Sequence, residues 1–234
     1  MKRTLPPKIC TSIAADTPSL MHERARDALS RGADFVELRF DFLKPGDLAT
    51  AIAAADDIKQ MAVFTLRSTA QGGKFAGSEQ DRLAWLRKMV EQRPMLVDIE
   101  LESLKANDEL ADFLDSQKTP ILVSWHDFRG TPPAAELADI LSEMRFYSNF
   151  VKIVSTAKGI GDALRLLDLY DGTIGLNAIF FAMGEAGVIS RVLCTIVGSA
   201  PFTYASLDEA IAPGQLTVTE MRRLYAMLEN SPTG

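Results

Sequence analysis

Short β-rich runs recur along this chain at an average spacing of about 27 residues, with helical stretches of mixed charge between them. The runs cover residues 9–13, 35–40, 61–66, 95–101, 120–124, 150–154, 173–181 and 194–198. Helical stretches cover 20–30, 78–91, 107–115, 133–147, 161–170 and 185–192, and 216–228 closes the chain. Two of them mark their own starts: Ser78 precedes Glu79 and Asp81, and Thr131-Pro132-Pro133 sets a capping hydroxyl before prolines. Such alternation predicts βα units and a parallel sheet. Eight units in 234 residues fit one (β/α)8 barrel. An open doubly wound sheet would carry a phosphate cradle, yet the chain has neither GxGxxG after its first run nor GxxxxGK(S/T) anywhere. The expected architecture is α/β, a (β/α)8 TIM barrel forming a single domain over residues 1–234.

Composition narrows the class of function. With 47% hydrophobic and 24% charged residues, disorder and coiled coil are excluded. The 25 basic and 31 acidic residues leave a net charge of −6 without a basic stripe, so nucleic acid is not an expected partner. Cys10 and Cys194 show neither a disulfide framework nor metal-ligand spacing, which suits two buried, reduced thiols in a cytoplasmic protein. Pro6 and Pro7 interrupt the start, leaving no apolar core for an export signal. The apolar stretch 174–188 is broken by Asn177, Gly184, Glu185 and Gly187, short of the roughly 20 residues of a membrane span.

A barrel of this kind builds its active site at the carboxyl ends of its strands. Those ends carry Ser12, then Glu37, Arg39 and Asp41, then Arg67, then Asp98, Glu100 and Glu102. Ser124 and His126 follow, then Lys152 within Phe-Val-Lys-Ile-Val, and run seven leads to Met183 and Arg191. Lysine in the middle of an apolar run is the most unusual. Taking an ammonium out of water costs several kcal/mol, and the expected response is a lowered pKa and a nucleophilic amine. A lysine on the barrel exterior is the alternative, but helices cover that face. His126 is one of two histidines and a natural acid/base; a hydrogen-bonded structural histidine is the competing reading. His22, among Glu23, Arg24 and Arg26, has no expected role. Glu37, Asp41, Asp98, Glu100, His126 and Asp127 could compose an oxygen-rich metal site, yet Arg39, Arg67 and Lys152 would repel the ion and suit an anionic organic substrate better. Glu37 and Glu100 can equally be ion-paired struts.

With these residues in place, the chain resembles the type I 3-dehydroquinate dehydratases of the shikimate pathway. The resemblance rests on Val36-Glu37-Leu38-Arg39-Phe40-Asp41, Phe64-Thr65-Leu66-Arg67-Ser68 with Gly72-Gly73, and Val97-Asp98-Ile99-Glu100-Leu101. It continues through Ser124-Trp125-His126-Asp127-Phe128, Val151-Lys152-Ile153, Met183-Gly184-Glu185-Ala186-Gly187, Ser190-Arg191, Gly198-Ser199 and Ala212-Pro213-Gly214-Gln215. It implies a lyase without metal or cofactor that converts 3-dehydroquinate to 3-dehydroshikimate and water, and a homodimer. Lys152 corresponds to the Schiff-base lysine and His126 to the general acid/base. Arg191 and Gln215 correspond to the grip on the substrate carboxylate, and Ser12, Glu37, Arg39 and Arg67 to the wall facing the ring hydroxyls. Residues 199–215 correspond to a lid. Gln71 stands where many relatives have glutamate, and Ile211 where many have serine. Two other readings compete: a class I aldolase-like barrel, for which Gly198-Ser199 makes too slight a phosphate pocket, and a binding protein that keeps the pocket without turnover.

Overall fold

In the computed structural model, which describes residues 7–198 and 200–229, eight parallel strands form one sheet in the order β7-β6-β5-β4-β3-β2-β1-β8. They are β1 (Ile9–Ile13), β2 (Phe35–Arg39), β3 (Ala62–Thr65), β4 (Leu96–Glu100), β5 (Ile121–His126), β6 (Phe150–Thr156), β7 (Asn177–Met183) and β8 (Thr203–Ser206). β1 pairs with both β2 and β8, so the sheet curls into a nearly closed TIM barrel with its seam between β7 and β8. The helices are α1 (Pro18–Ser30), α2 (Leu48–Ala54), α3 (Glu79–Glu91), α4 (Leu101–Lys105), α5 (Asp108–Ser116), α6 (Ala134–Met144), α7 (Ile160–Asp168), α8 (Val188–Leu193) and α9 (Val218–Glu229).

Strand periodicity sorts the side chains. Outward residues such as Ile13, Leu38, Phe64, Ile99, Val123, Ile153 and Phe180 join the helices in the main apolar core. Inward residues stack in layers of four drawn from alternate strands, as the shear of a closed barrel requires. Cys10, Val63, Leu122 and Ile179 form an apolar floor from the odd-numbered strands. Above it the even-numbered strands supply Glu37, Asp98, Lys152 and Tyr204, and above those come Ser12, Thr65, Ser124 and Phe181. The floor excludes water from below, so the polar layers open only toward the carboxyl ends.

Local chemistry explains where the elements start and where the sequence reading differs. Ser78 caps α3 in a reciprocal box with Asp81, as expected. α6, by contrast, starts at Ala134 with Pro133 as an uncapped N-cap, because the Thr131 hydroxyl is 2.7 Å from that of Ser155 and donates to the Thr156 carbonyl. The expected eighth strand at 194–198 is not one. Cys194 and Val197 donate to Ser190 and Leu193 at 2.9 Å, prolonging the end of α8 as turns. The strand is Thr203–Ser206, whose register with β1 begins at Ile9 opposite Thr203. β7 starts at Asn177 rather than 173, since residues 173–176 make a turn with Gly175 at φ +82. α2 and α4 occupy segments where the sequence marked no helix. Both cysteines are buried and free, and no helix among the described residues is long and apolar enough to cross a membrane.

Phe64 is fully buried and meets Phe40 edge-on at 5.0 Å, whereas Phe146 is 87% exposed. Phe64→Ala is expected to lower unfolding free energy in urea by about 3–5 kcal/mol. Phe146→Ala should stay within about 0.5 kcal/mol of the parent.

Candidate active site

The polar layers open into a cavity of about 290 Å³ at the carboxyl ends of the strands. All eight residues expected at the site line it: Ser12, Glu37, Arg39, Arg67, His126, Lys152, Arg191 and Gln215. Gln71 and Ile211 line it as well, along with Tyr204, which the sequence reading missed. Glu102 instead lies exposed on α4, and His22 pairs with Asp57 on the surface at 2.8 Å.

Lys152 is not an isolated amine in an apolar strand, as its sequence context suggested. β6 is apolar on its outward face, but the inward face meets acids from neighbouring strands. Nζ lies 2.6 Å from Asp98 Oδ2 and 3.4 Å from Glu37 Oε1, and 4.8 Å over the Tyr204 ring. Asp98 also accepts from Arg67 at 2.7 Å and from the Ser124 hydroxyl at 2.6 Å. Glu37 accepts from Ser12 at 2.9 Å and from Thr65 at 3.0 Å. Burial alone would raise the Asp98 carboxyl, but the charges of Arg67 and Lys152 outweigh it and hold the group well below the usual carboxylate range. Burial works against the Arg67 charge, and Asp98, Glu100 and Glu37 reverse that effect. Arg39 is fixed by two 2.8 Å bonds to buried Asp41. Glu100 accepts from the Ser68 amide and pairs with Arg67 and Arg82, so it serves as a strut behind the cavity wall. With the carboxylates engaged in this way, no group of three His, Cys, Asp or Glu among the described residues is arranged to hold a metal.

His126 ends β5. Burial, then the charges of Arg67 and Lys152, push its imidazole well below the ordinary histidine value, so it is neutral at pH 7. Its Nδ1 is buried without a hydrogen-bond partner among the described residues. A neutral imidazole in that state can take up a proton. The Gln71 side-chain oxygen is likewise buried and unpartnered, in the loop after β3. That loop folds tightly over the Arg67 backbone, where a Cβ at Gly73 would fall 2.1 Å from the Arg67 carbonyl oxygen.

Arg191 comes from α8. Thr203 on β8 donates to its carbonyl at 2.6 Å, and its guanidinium lies 4.1 Å over the Phe181 ring. Nε and Nη2 have no hydrogen-bond partner among the described residues. Burial without a counter-ion lowers this guanidinium to about 10. The expected lid, 199–215, is shorter than the sequence implied because β8 occupies its middle, and Ser199 lies outside the described residues. Beyond β8, Ile211, Ala212, Pro213 and Gln215 line the cavity. Gln215 Oε1 accepts from the Ile211 and Ala212 amides at 2.9 and 3.2 Å, leaving its amide NH2 for a ligand. Gly214, at φ +74, approaches the Gly184 carbonyl so closely that a Cβ would stand 2.4 Å from its oxygen.

A buried cation without a counter-ion costs the protein stability. Arg191→Met is therefore expected to raise stability by about 1 kcal/mol or more, measured by urea unfolding without ligand. A loss of stability would show that the guanidinium is satisfied.

The type I 3-dehydroquinase family profile matches residues 9–232. The sequence is 34% identical over 226 residues to the 3-dehydroquinate dehydratase of Desulfotalea psychrophila, covering 94% of this chain and 97% of that one. It is 38% identical over 199 residues to the 3-dehydroquinate dehydratase of Dehalococcoides mccartyi, covering 84% and 86%. The crystal structure of 3-dehydroquinate dehydratase from Geobacillus kaustophilus shares the fold with a TM-score of 0.86 at 23% identity, over 96% of this chain and 92% of that one. A nearly closed barrel with ion-paired Lys152 at its mouth and a matching profile over almost its whole length places the chain in the type I 3-dehydroquinase family.

Proposed function

We propose that Lys152 carries the reaction of this hydro-lyase, the dehydration of 3-dehydroquinate, as a Schiff base with the ring ketone. The observation that carries this reading is the placement of Nζ. Lys152 is the lysine of the cavity lining, 3% exposed, with Asp98 and Glu37 beside it. His126 takes a proton from Nζ, the amine adds to the carbonyl carbon, and the same proton returned to the carbinolamine hydroxyl lets it leave as water, giving an iminium and neutral His126. Asp98 and Glu37 hold that positive nitrogen as they hold the ammonium, so the site needs little reorganisation when the charge reappears. Neutral His126 then removes a proton from the neighbouring carbon, and the electron pair moves to the nitrogen as an enamine. The enamine expels the ring hydroxyl, which leaves as water with the proton from His126. Hydrolysis of the conjugated iminium releases 3-dehydroshikimate and restores Lys152.

The other expected residues have matching roles in this scheme. Arg191 takes the substrate carboxylate through the two nitrogens that lack partners, and the Gln215 NH2 adds a second donor. Ser12, Glu37, Arg39 and Arg67 form the wall toward the ring hydroxyls, fixed by their mutual bonds and by Asp41 and Asp98. The reading calls for no cofactor and treats the chain as one catalytic domain, cytoplasmic and homodimeric. Exposed Ile160, Ile189 and Leu228 on α7, α8 and α9 offer an apolar face to a second copy.

Borohydride reduction with 3-dehydroquinate present is expected to add one ligand-derived mass at Lys152, read by peptide mass spectrometry. Lys152→Ala should take up none and lose turnover, followed as enone absorbance in the near ultraviolet. Labelling at Lys158 or Lys44, or none in an active enzyme, overturns the assignment.

Gln71 and His126 line the same cavity, so a carboxylate at position 71 would favour the charged imidazole. A base must be neutral to act, and its rate limb lies at its pKa. Gln71→Glu is expected to move the acidic limb of the kcat profile to higher pH, by about one unit for a charge within hydrogen-bonding distance. Superimposable profiles at low salt would show that the loop does not tune His126.

A further inference from the structure

Three members of the inward layer from the even-numbered strands, Glu37, Asp98 and Lys152, bond to one another or to the layer above. The fourth does not. Tyr204 on β8 pairs in register with Cys10 of β1, its ring 5.9 Å from that of Phe181 and 5.6 Å from that of Phe202. It is 3% exposed and lines the cavity, and its hydroxyl has no partner among the described residues. Lys152 Nζ lies 4.8 Å over the ring. Burial, with the negative charge of Glu37 next in size, pushes the phenol well above its ordinary value, so it stays an O–H donor.

An aromatic hydrocarbon would pack against Phe181 and Phe202 equally well, and leaving the hydroxyl unsatisfied costs the empty protein stability. We propose that Tyr204 is a further substrate-contacting residue, whose hydroxyl hydrogen-bonds an oxygen on the ligand carbon next to the imine carbon while its ring face steadies the cationic nitrogen. This rests on the Schiff-base reading only for the ligand's placement. Nζ fixes the ketone carbon beside the Tyr204 ring, and Arg191 draws the carboxylate toward α8. The hydroxyl-bearing neighbour of the ketone is then the group that a phenol at this level meets. The ring adds a cation–π contact that persists when the ammonium becomes an iminium.

Tyr204→Phe separates the two halves of the residue. It is expected to raise KM for 3-dehydroquinate about three- to tenfold, the size of one neutral hydrogen bond. The midpoint of thermal unfolding without ligand should stay unchanged or rise, because a buried unsatisfied group has been removed. Borohydride should still add one ligand mass at Lys152 in this variant. An unchanged KM, a lower midpoint or failure to fold would each overturn the proposal, the last two because they give the hydroxyl a structural partner. Absence of the Lys152 adduct in the parent enzyme would instead overturn the Schiff-base reading, and the KM comparison would still read the hydroxyl. Tyr204→Leu, which also removes the ring, should raise KM beyond the phenylalanine variant; equal values would remove the cation–π part of the proposal.

Discussion

Asp98 holds two buried cations with one carboxylate: Lys152 and Arg67 both reach Oδ2, and the Ser124 hydroxyl takes Oδ1. Three strands, β4, β5 and β6, and the segment just after β3 thereby meet at one group. A charge taken out of water repays its desolvation only when paired and hydrogen-bonded on all sides. Here each neighbour is itself held, Arg67 by Ser124 and Glu100, and Glu37 by Ser12 and Thr65. Removing Asp98 would leave Lys152 only its longer contact with Glu37, and Arg67 only Glu100 and Ser124. The same carboxylate sets the chemistry: it fixes where Nζ lies and, as an anion far below its usual range, keeps a negative charge beside any cation formed there.

The fold was largely legible because it depends on period. Seven of the eight expected runs overlap strands, and their spacing together with the missing phosphate-cradle motifs separated a barrel from an open sheet. The eighth failed for a local reason. Thr195, Ile196 and Val197 are β-branched and follow a helical stretch, which is what a strand looks like in sequence. In the fold they finish α8, while the less apolar Thr-Tyr-Ala-Ser segment pairs with β1 and so becomes the strand. Tertiary pairing outweighs propensity there, and no window of residues contains that information.

The same error hid part of the site. With the eighth strand placed too early, Tyr204 had no reason to face inward, although its alternation with Phe202 and Ser206 would have shown it once the strand was located. Asp98 was visible as a strand-end acid but not as the partner of Lys152, which lies 54 residues away. That pairing follows from the shear of the barrel, which brings alternate strands to one level, and shear is a property of closure rather than of any motif. The strand-end residues themselves were legible because a barrel puts its chemistry at one end, and polar side chains at those positions stand out against apolar strands.

The distribution of unsatisfied groups ties stability to use. Buried polar atoms are nearly always paired, so those that are not need a cause. Five of the six such side-chain atoms among the described residues belong to Gln71, His126, Arg191 and Tyr204, all of which line the one cavity. Thr11, facing the helices, is the exception. Poor packing would scatter such atoms through the core, yet Asp98, Lys152, Arg67 and Ser124 bond one another in the same barrel interior. The unpartnered groups converge on one cavity, with Arg191 from α8 and His126 from β5 beside Lys152 of β6. Each unpaired group weakens the empty barrel, and the ion-paired layer beneath supplies the rigidity that keeps them apart until a ligand pairs them.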